Sequence, residues 1–224
     1  MKILLTGGSG ILGSQILKIY DREYFNIFSP NSKELNILEH PKIKNDFDII
    51  IHCAAMTNTS MAESSAIEAI NINVLGTINM VNFAAENDSK FVYISTDYVF
   101  DGESGGYSTS DCINPISNYS KSKAAGELCS RIYKNSVILR TSFCQNNFPH
   151  EKAFEDQWTS RDYVDIIAPI ILKYSIEKSP GIYHVGTERK SVFDLASRRK
   201  KVGKIKRKDV SSKIYIPKDT SFKY

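Results

Sequence analysis

Long hydrophobic runs are missing from this 224-residue chain. Beyond the N-terminus the longest, Ile166 to Leu172, is far shorter than the roughly 20 residues a membrane helix needs. The opening, Met1–Lys2–Ile3–Leu4–Leu5–Thr6, turns to glycine too soon for a secretory leader. Cysteine is scarce. Cys53, Cys112, Cys129 and Cys144 have no metal-ligand spacing, and without a leader they are expected to be reduced thiols in a cytoplasmic protein. No internal repeat and no low-complexity linker divides the chain. A composition of 42% hydrophobic and 24% charged residues excludes disorder. The length suits one sizeable core and is short for two full domains.

The net charge is only +4, but it is unevenly placed. Arg198, Arg199, Lys200, Lys201, Lys204, Lys206, Arg207 and Lys208 crowd one segment. Such a run is expected on the surface, because burying unpaired charge is costly. No aromatic residues interleave it to stack on bases, so it reads as a solvated face rather than a nucleic-acid site.

Apolar strand-like runs alternate with helical patterns. Residues 2–6 form a short apolar run, followed by Gly7, Gly10 and Gly13 and then by Ser14–Tyr20 with helical spacing. Strand, spaced glycines and helix make the context of a dinucleotide site. The glycines let backbone N–H groups approach a pyrophosphate at the positive end of a helix. A second strand is read at Phe25–Phe28. Ser29, Pro30, Asn31, Ser32 and Lys33 follow it without a carboxylate to bind ribose hydroxyls or repel a 2′-phosphate. Ser32 and Lys33 are therefore candidate phosphate contacts, which points to NADP(H) ahead of NAD(H). Asp48–Ala55 reads as a buried central strand, with His52 satisfying a local hydrogen bond. A helical region is expected over roughly Met61 to Asn87. Phe91–Ser95 forms the next strand and delivers Thr96 and Asp97 at its carboxyl end, which faces the ligand crevice in doubly wound sheets. Further elements are expected at 136–140, 162–176, 181–185 and from Ser191. The pattern weakens over 144–160 and after Gly203. The alternation predicts a doubly wound parallel sheet of Rossmann type.

Pro115 introduces a helix carrying Tyr119 and Lys123. Their spacing of four puts both on one face. An ammonium beside a phenol favours phenolate, so the pair is expected to move a proton near neutral pH.

Together Gly7, Gly10, Gly13, Asn73, Tyr119 and Lys123 resemble an extended short-chain dehydrogenase/reductase. The stretch Ser95–Thr96–Asp97–Tyr98–Val99–Phe100–Asp101–Gly102 narrows this. With Ile51–Ala55, Leu139–Ser142, Asp156–Gln157, Gly181–Val185 and Pro217–Ser221, it resembles the dTDP-4-dehydrorhamnose reductase family almost end to end. That resemblance implies a dinucleotide-binding domain over 1–142 and a small, reduced substrate-binding lobe over 143–224, with interleaved contributions. It implies reduction of a nucleotide-linked 4-keto-6-deoxy sugar by NADPH or NADH. Tyr119 would protonate the ketone oxygen, Thr96 would hydrogen-bond the same oxygen, and Lys123 would lower the Tyr119 pKa and hold the nicotinamide ribose. Gly10, Ile11 and Leu12 would lie under the pyrophosphate, and Asn36 and Ile37 beside the adenine. Ala55, Met56 and Thr57 would border the nicotinamide side. Gly7, Ser9, Cys53, Ala54 and Ser95 complete the implied cofactor set. Asp97 and Phe143 join Thr96 on the substrate side, with Phe143 where the family usually has Trp. No membrane partner is implied, and a homodimer is a candidate assembly.

The chain departs from the family at a shortened stretch after Phe143, at Arg161 where a Pro is usual, and at an early end. Two other readings stay open. One is a nucleotide-sugar epimerase. The other is a non-catalytic NADP-binding subunit like the methionine adenosyltransferase regulatory subunit.

Overall fold

The computed structural model describes residues 1–43, 46–211 and 215–224. In chain order the N-terminal half contains β1 (Lys2–Thr6), α1 (Ile11–Ile19), β2 (Asn26–Phe28), β3 (Ile49–His52), α2 (Thr59–Ser64), α3 (Ala66–Ile70), α4 (Gly76–Glu86) and β4 (Lys90–Thr96). Then come α5 (Asn118–Ile132), β5 (Ser136–Thr141), β6 (Phe143–Cys144), β7 (Lys152–Phe154), β8 (Trp158–Thr159) and β9 (Asp162–Tyr163). The chain closes with α6 (Val164–Glu177), β10 (Gly181–Val185), β11 (Lys190–Ser191), α7 (Val192–Ser197) and β12 (Gly203–Ile205).

Six strands form one sheet in the order β10-β5-β4-β3-β1-β2, and every pairing is parallel. The strand interiors alternate strictly. Ile3, Leu5, Ile49, Ile51, Val92 and Leu139 face α1 and α6, whereas Leu4, Ile50, Phe91, Tyr93 and Ile138 face α4. Helices on both faces explain why these strands are apolar throughout. The chain leaves β1 outward to β2 and later returns beside β1 as β3. A crevice therefore opens at the carboxyl ends of β1 and β3, where ligands bind in such sheets. The sixth strand, β10, comes from the C-terminal part of the chain.

The helical region expected over 61–87 is interrupted. Between α3 and α4, Asn71–Leu75 forms a π-turn. The buried Asn73 side chain explains it. Its Oδ1 accepts from Met56 N at 2.8 Å, and its Nδ2 donates to Met56 O at 3.1 Å and to Ser122 Oγ at 2.8 Å. A regular helix would turn this amide away from that loop, so tertiary hydrogen bonds override the local period. The helix expected from Asp162 instead starts at Val164, after β9 pairs with β6. Ser191 caps α7, exchanging hydrogen bonds with Asp194.

The segment 198–208 is an exposed but ion-paired element. Arg198 pairs with Asp162 and Glu188, Arg199 with Asp165, Lys200 with Glu151, and both Lys204 and Lys206 with Glu155. Its strand β12 runs parallel to β7. These acids come from 151–188, so the charge of the run is largely answered within the fold. No described helix is long and apolar enough to cross a membrane.

Helix α5 crosses the π-turn at Gly126. A Cβ there would lie 2.5 Å from Asn73 O and 2.5 Å from Tyr93 Oη. Gly126→Ala should therefore destabilise the protein by about 1–3 kcal/mol, as overpacking outweighs the roughly 1 kcal/mol gained in helix propensity. Urea unfolding checks this, and an unchanged or raised midpoint would contradict it.

Candidate active site

The turn after β1 is shaped by close backbone approach. Gly7 has φ +71°, and a Cβ on it would sit 2.6 Å from Ala54 N. Gly13 packs against Gly7 O, where a Cβ would come within 2.3 Å. Gly10 is the N-cap of α1 and brings no side chain, and no acid lies in the first turn of the helix. The first N–H groups of α1 thus point into the crevice with their partial positive charge, as a pyrophosphate requires.

A cavity of about 350 Å³ extends from this turn to the ends of β4 and β5. Of the residues expected from sequence, Gly7, Gly10, Ile11, Leu12, Cys53, Ala55, Thr57, Ser95, Thr96, Tyr119, Lys123 and Phe143 line it. Ser9 is exposed on the same turn, and Ala54 is the residue against which Gly7 packs. Further out, Ser32, Lys33 and Asn36 are exposed, while Ile37 is packed where Gly76 leaves room. The turn at 31–34 also holds a carboxylate, because Glu34 folds back to accept from Asn31 N at 2.9 Å. Asp97 is buried behind the cavity wall rather than on it.

Helix α5 is fixed against the sheet by a fully buried ion pair. Glu127 and Arg140 have side-chain exposures of 0% and 1%, with Nη2 2.6 Å from Oε1. Ser95 Oγ donates to Glu127 Oε2 at 2.7 Å, and Arg140 Nε donates to both carboxylate oxygens. The side chains of α5, β4 and β5 are thereby locked in one rotation, two helical turns from Tyr119. Arg140 stood in the sequence only as part of the Leu139–Ser142 motif, and nothing there paired it with Glu127. A charged pair thirteen positions apart on a helix and a strand has no periodic signal.

At the cavity end of α5, the Lys123 ammonium lies 4.2 Å from the centre of the Tyr93 ring. Burial draws its pKa down to about 7, against the opposing pull of Cys53 and Glu127. Burial also raises the Tyr119 phenol, while the neighbouring Thr96 hydroxyl works to lower it. Here the structure differs from the sequence expectation. Desolvation dominates both groups, and Thr96 rather than Lys123 is the group that favours Tyr119 ionisation. Cys53 is pushed up to about 12 by burial and is an inert thiol.

A second cavity of about 590 Å³ lies beyond Tyr98, whose ring meets Tyr119 edge-on at 6.4 Å between centroids. Phe148, Lys152, Gln157, Arg161 and Tyr215 are among its lining residues, and no Asp or Glu is among the described ones. The buried Nε of Arg161 has no hydrogen-bond partner among the described residues. Arg161 lies near the position where the family resemblance implied a proline, and only the fold places it beside Asp97 and Tyr98.

A parallel doubly wound sheet with a glycine turn at its switch point, and a Thr–Tyr–Lys set at its rim, defines a protein of the short-chain dehydrogenase/reductase class. Over residues 1–214 the chain matches the family described as RmlD substrate binding domain, and it belongs to that family. A dTDP-4-dehydrorhamnose reductase from Aggregatibacter actinomycetemcomitans is 35% identical over 150 residues, covering 63% of this chain and 51% of the relative. The chain thus spans about half the length of that relative. Methionine adenosyltransferase 2 subunit beta from Rattus norvegicus is 30% identical over 87% of this chain and 70% of its own length. The crystal structure of dTDP-4-dehydrorhamnose reductase from Bacillus anthracis in complex with NADP superposes with a TM-score of 0.90. It is 29% identical, with 99% of this chain and 89% of that chain covered.

His52 is structural. Its Nδ1 meets Thr6 Oγ1 at 2.8 Å, its Nε2 meets Thr77 Oγ1 at 3.3 Å, and burial lowers its pKa to about 3. The folded state therefore keeps His52 neutral while the unfolded chain binds a proton below about 6.5. Stability from this group is complete above pH 6.5 and is lost as pH falls towards 3, at up to about 1.4 kcal/mol per pH unit. Unfolding free energies measured between pH 6.5 and 4.5 should fall less steeply in His52→Gln than in the wild type. Equal slopes would contradict the assignment.

Proposed function

We propose that this chain is a nicotinamide-dependent reductase of a nucleotide-linked 4-keto-6-deoxy sugar, in deoxysugar or cell-surface polysaccharide synthesis. The observation that carries this reading is the convergence of the Thr96 and Tyr119 hydroxyls and the Lys123 ammonium on the cavity that begins at the glycine turn. The uncapped N-terminus of α1 and the side-chain-free cradle at Gly7 and Gly10 fit a dinucleotide pyrophosphate. When bound, the nicotinamide supplies the reducing equivalent. Tyr119 donates its proton to the ketone oxygen as charge builds there, and Thr96 holds the same oxygen. Lys123, near neutrality in its pKa, holds the nicotinamide ribose and returns a proton towards Tyr119. The second cavity, with Lys152 and Arg161 and aromatic walls, suits the nucleotide and diphosphate of the substrate.

In this reading Gly7, Ser9, Gly10, Ile11 and Leu12 hold the pyrophosphate. Asn36 and Ile37 border the adenine, and Cys53, Ala54, Ala55, Thr57 and Ser95 line the nicotinamide side. Phe143 packs on the sugar. Residues 1–142 form the dinucleotide-binding part and 143–224 the reduced substrate lobe, with β10 crossing back into the main sheet. The protein works in the cytoplasm.

A regulatory reading, in which the chain binds NADP without catalysis, is supported by its likeness to the rat methionine adenosyltransferase subunit over 87% of this chain. Following NADPH oxidation on addition of dTDP-4-dehydro-6-deoxy-L-mannose separates the two. Tyr119→Phe should lower turnover by roughly 10²–10⁴-fold and leave cofactor affinity nearly unchanged. Full turnover in that variant would sink the mechanism, and a wild type that binds NADPH but reduces no nucleotide-linked ketone would favour the regulatory reading.

NADPH is proposed to bind at least as well as NADH, with Lys33 and Ser32 near the 2′-phosphate. Lys33 is exposed, so the effect should be modest. Lys33→Ala should weaken NADPH by about 2- to 5-fold and NADH hardly at all. Fluorescence titration of both cofactors tests this, and a wild-type preference for NADH would give the turn to Glu34 instead.

A further inference from the structure

The last ten residues of the chain do not form a helix or a sheet of their own. They thread between the 102–107 loop and strand β8. Lys218 N and Asp219 N both donate to Gly102 O, at 2.8 and 2.7 Å. Trp158 N donates to Lys218 O at 2.8 Å and Thr220 N to Trp158 O at 3.0 Å, while Tyr107 N donates to Ser221 O at 2.9 Å. Thr220 and Ser221 are buried to 2% and 0% exposure. This strap brings the Thr220 hydroxyl to Asp97, 123 positions earlier in the chain. Thr220 Oγ1 donates to Asp97 Oδ2 at 2.7 Å. The other carboxylate oxygen, Oδ1, accepts from Thr96 Oγ1 at 3.2 Å.

We infer that Thr220 is a positioning residue for the active site. Through Asp97 it sets the orientation of the Thr96 side chain, which makes the C-terminal strap part of the active-site architecture. This deepens the reductase reading and rests on it for its kinetic consequence.

The two bonds differ in kind. The Thr220 bond at 2.7 Å is at the usual distance for a hydroxyl on a carboxylate. It holds the Asp97 carboxylate in one plane. The Thr96 bond at 3.2 Å is longer than the usual range for such a pair. It directs the hydroxyl without tying up its proton strongly, so the proton remains available to a ketone oxygen. Tyr98 N completes the arrangement by donating to Thr96 Oγ1 at 3.2 Å. A hydroxyl has one proton and two lone pairs. With the amide on one lone pair, the Asp97 contact limits rotation of the Thr96 hydroxyl and so sets where its proton can be offered, to the Tyr119 oxygen or to a ketone oxygen. The terminal torsion of a carboxylate is broad, so without Thr220 the Asp97 plane would be set only by the weaker contacts from Thr96 and Ser142 and by the Arg161 charge. Thr96 would then lose its guide, and its hydroxyl would sample orientations that do not serve the reaction. Arg161 stands near the same carboxylate and supplies charge. Thr220 supplies direction.

Ser221 is the internal control. It lies on the same strap, but its Oγ accepts from Gly106 N at 3.0 Å and does not reach Asp97. Removing either hydroxyl loosens the strap, and removing only that of Thr220 releases Asp97.

The test compares Thr220→Val, Thr220→Ser and Ser221→Ala in the full chain. Thr220→Val should lower kcat by about 10- to 100-fold, the scale of a misplaced reacting group, with KM for NADPH unchanged. Thr220→Ser should restore kcat to near the wild-type value, and Ser221→Ala should keep it. Equal kcat losses in Thr220→Val and Ser221→Ala, or no loss in Thr220→Val, would overturn the inference. If Thr220→Val fails to bind NADPH, Asp97→Asn replaces it. That variant keeps the shape but reverses one hydrogen bond, and unchanged kcat in it would also overturn the inference. A second readout does not depend on activity. In NMR spectra of the cofactor-bound protein, the Thr96 methyl resonance should move in Thr220→Val and stay in Ser221→Ala. If the wild type reduces no ketone, the reductase reading fails while this resonance still decides the positioning, and an unmoved methyl would overturn it.

Discussion

The buried pair of Glu127 and Arg140 is the constraint from which the site follows. Two charges removed from water are held only because every oxygen of the carboxylate is used, by Arg140 Nη2 and Nε and by Ser95 Oγ. Loss of one partner in such a pair typically costs about 3–5 kcal/mol, because the other is left buried and unpaired. The geometry thus admits one arrangement of three elements. Helix α5 cannot rotate, β4 and β5 cannot slip, and the ends of all three meet the cavity. Tyr119, Lys123, Thr96 and Phe143 are each carried to the cavity on elements that this lock holds or that adjoin it.

Burial has a second consequence at the cavity. The same low dielectric that strengthens the lock disfavours charge on Lys123 and on the Tyr119 phenolate. Lys123 is brought close to neutral pH, where a proton can be gained or lost with little cost. Tyr119 is held protonated, which is the form a proton donor must have. On the reductase reading proposed above, the acid is prepared by desolvation, with Thr96 beside it, rather than by an adjacent fixed charge. Against this, His52 and Cys53 are in the same region and are silenced by burial, one kept neutral and the other kept as a thiol.

The C-terminal part of the chain is bound by electrostatics of another kind. Its basic run meets acids from 151–188 at the surface, where each pair contributes little by itself. As a set they hold β12 beside β7, and those two strands flank the second cavity. The surface charge that drew attention in the sequence is answered by acids that help to hold the wall of the second cavity.

The sequence alone determined the parallel sheet, the glycine turn at the end of β1, and the pair Tyr119 and Lys123 on one helical face. These depend on local period and on residue types whose backbone needs are distinctive. It also drew attention to Thr96 and Asp97, through their place at the end of an apolar strand. Tertiary structure decided the rest. The π-turn at Asn71–Leu75 arises because Asn73 satisfies the Met56 backbone, a contact across 17 positions with no trace in the helical pattern. Glu127 found Arg140, and Arg161 came to lie by Asp97, although neither has a spacing to betray it. Thr220 reached Asp97 from 123 positions away. Periodicity records which face of an element is buried. Which hydrogen bonds and charges meet inside that burial depends on three-dimensional closure, and a linear pattern does not carry it.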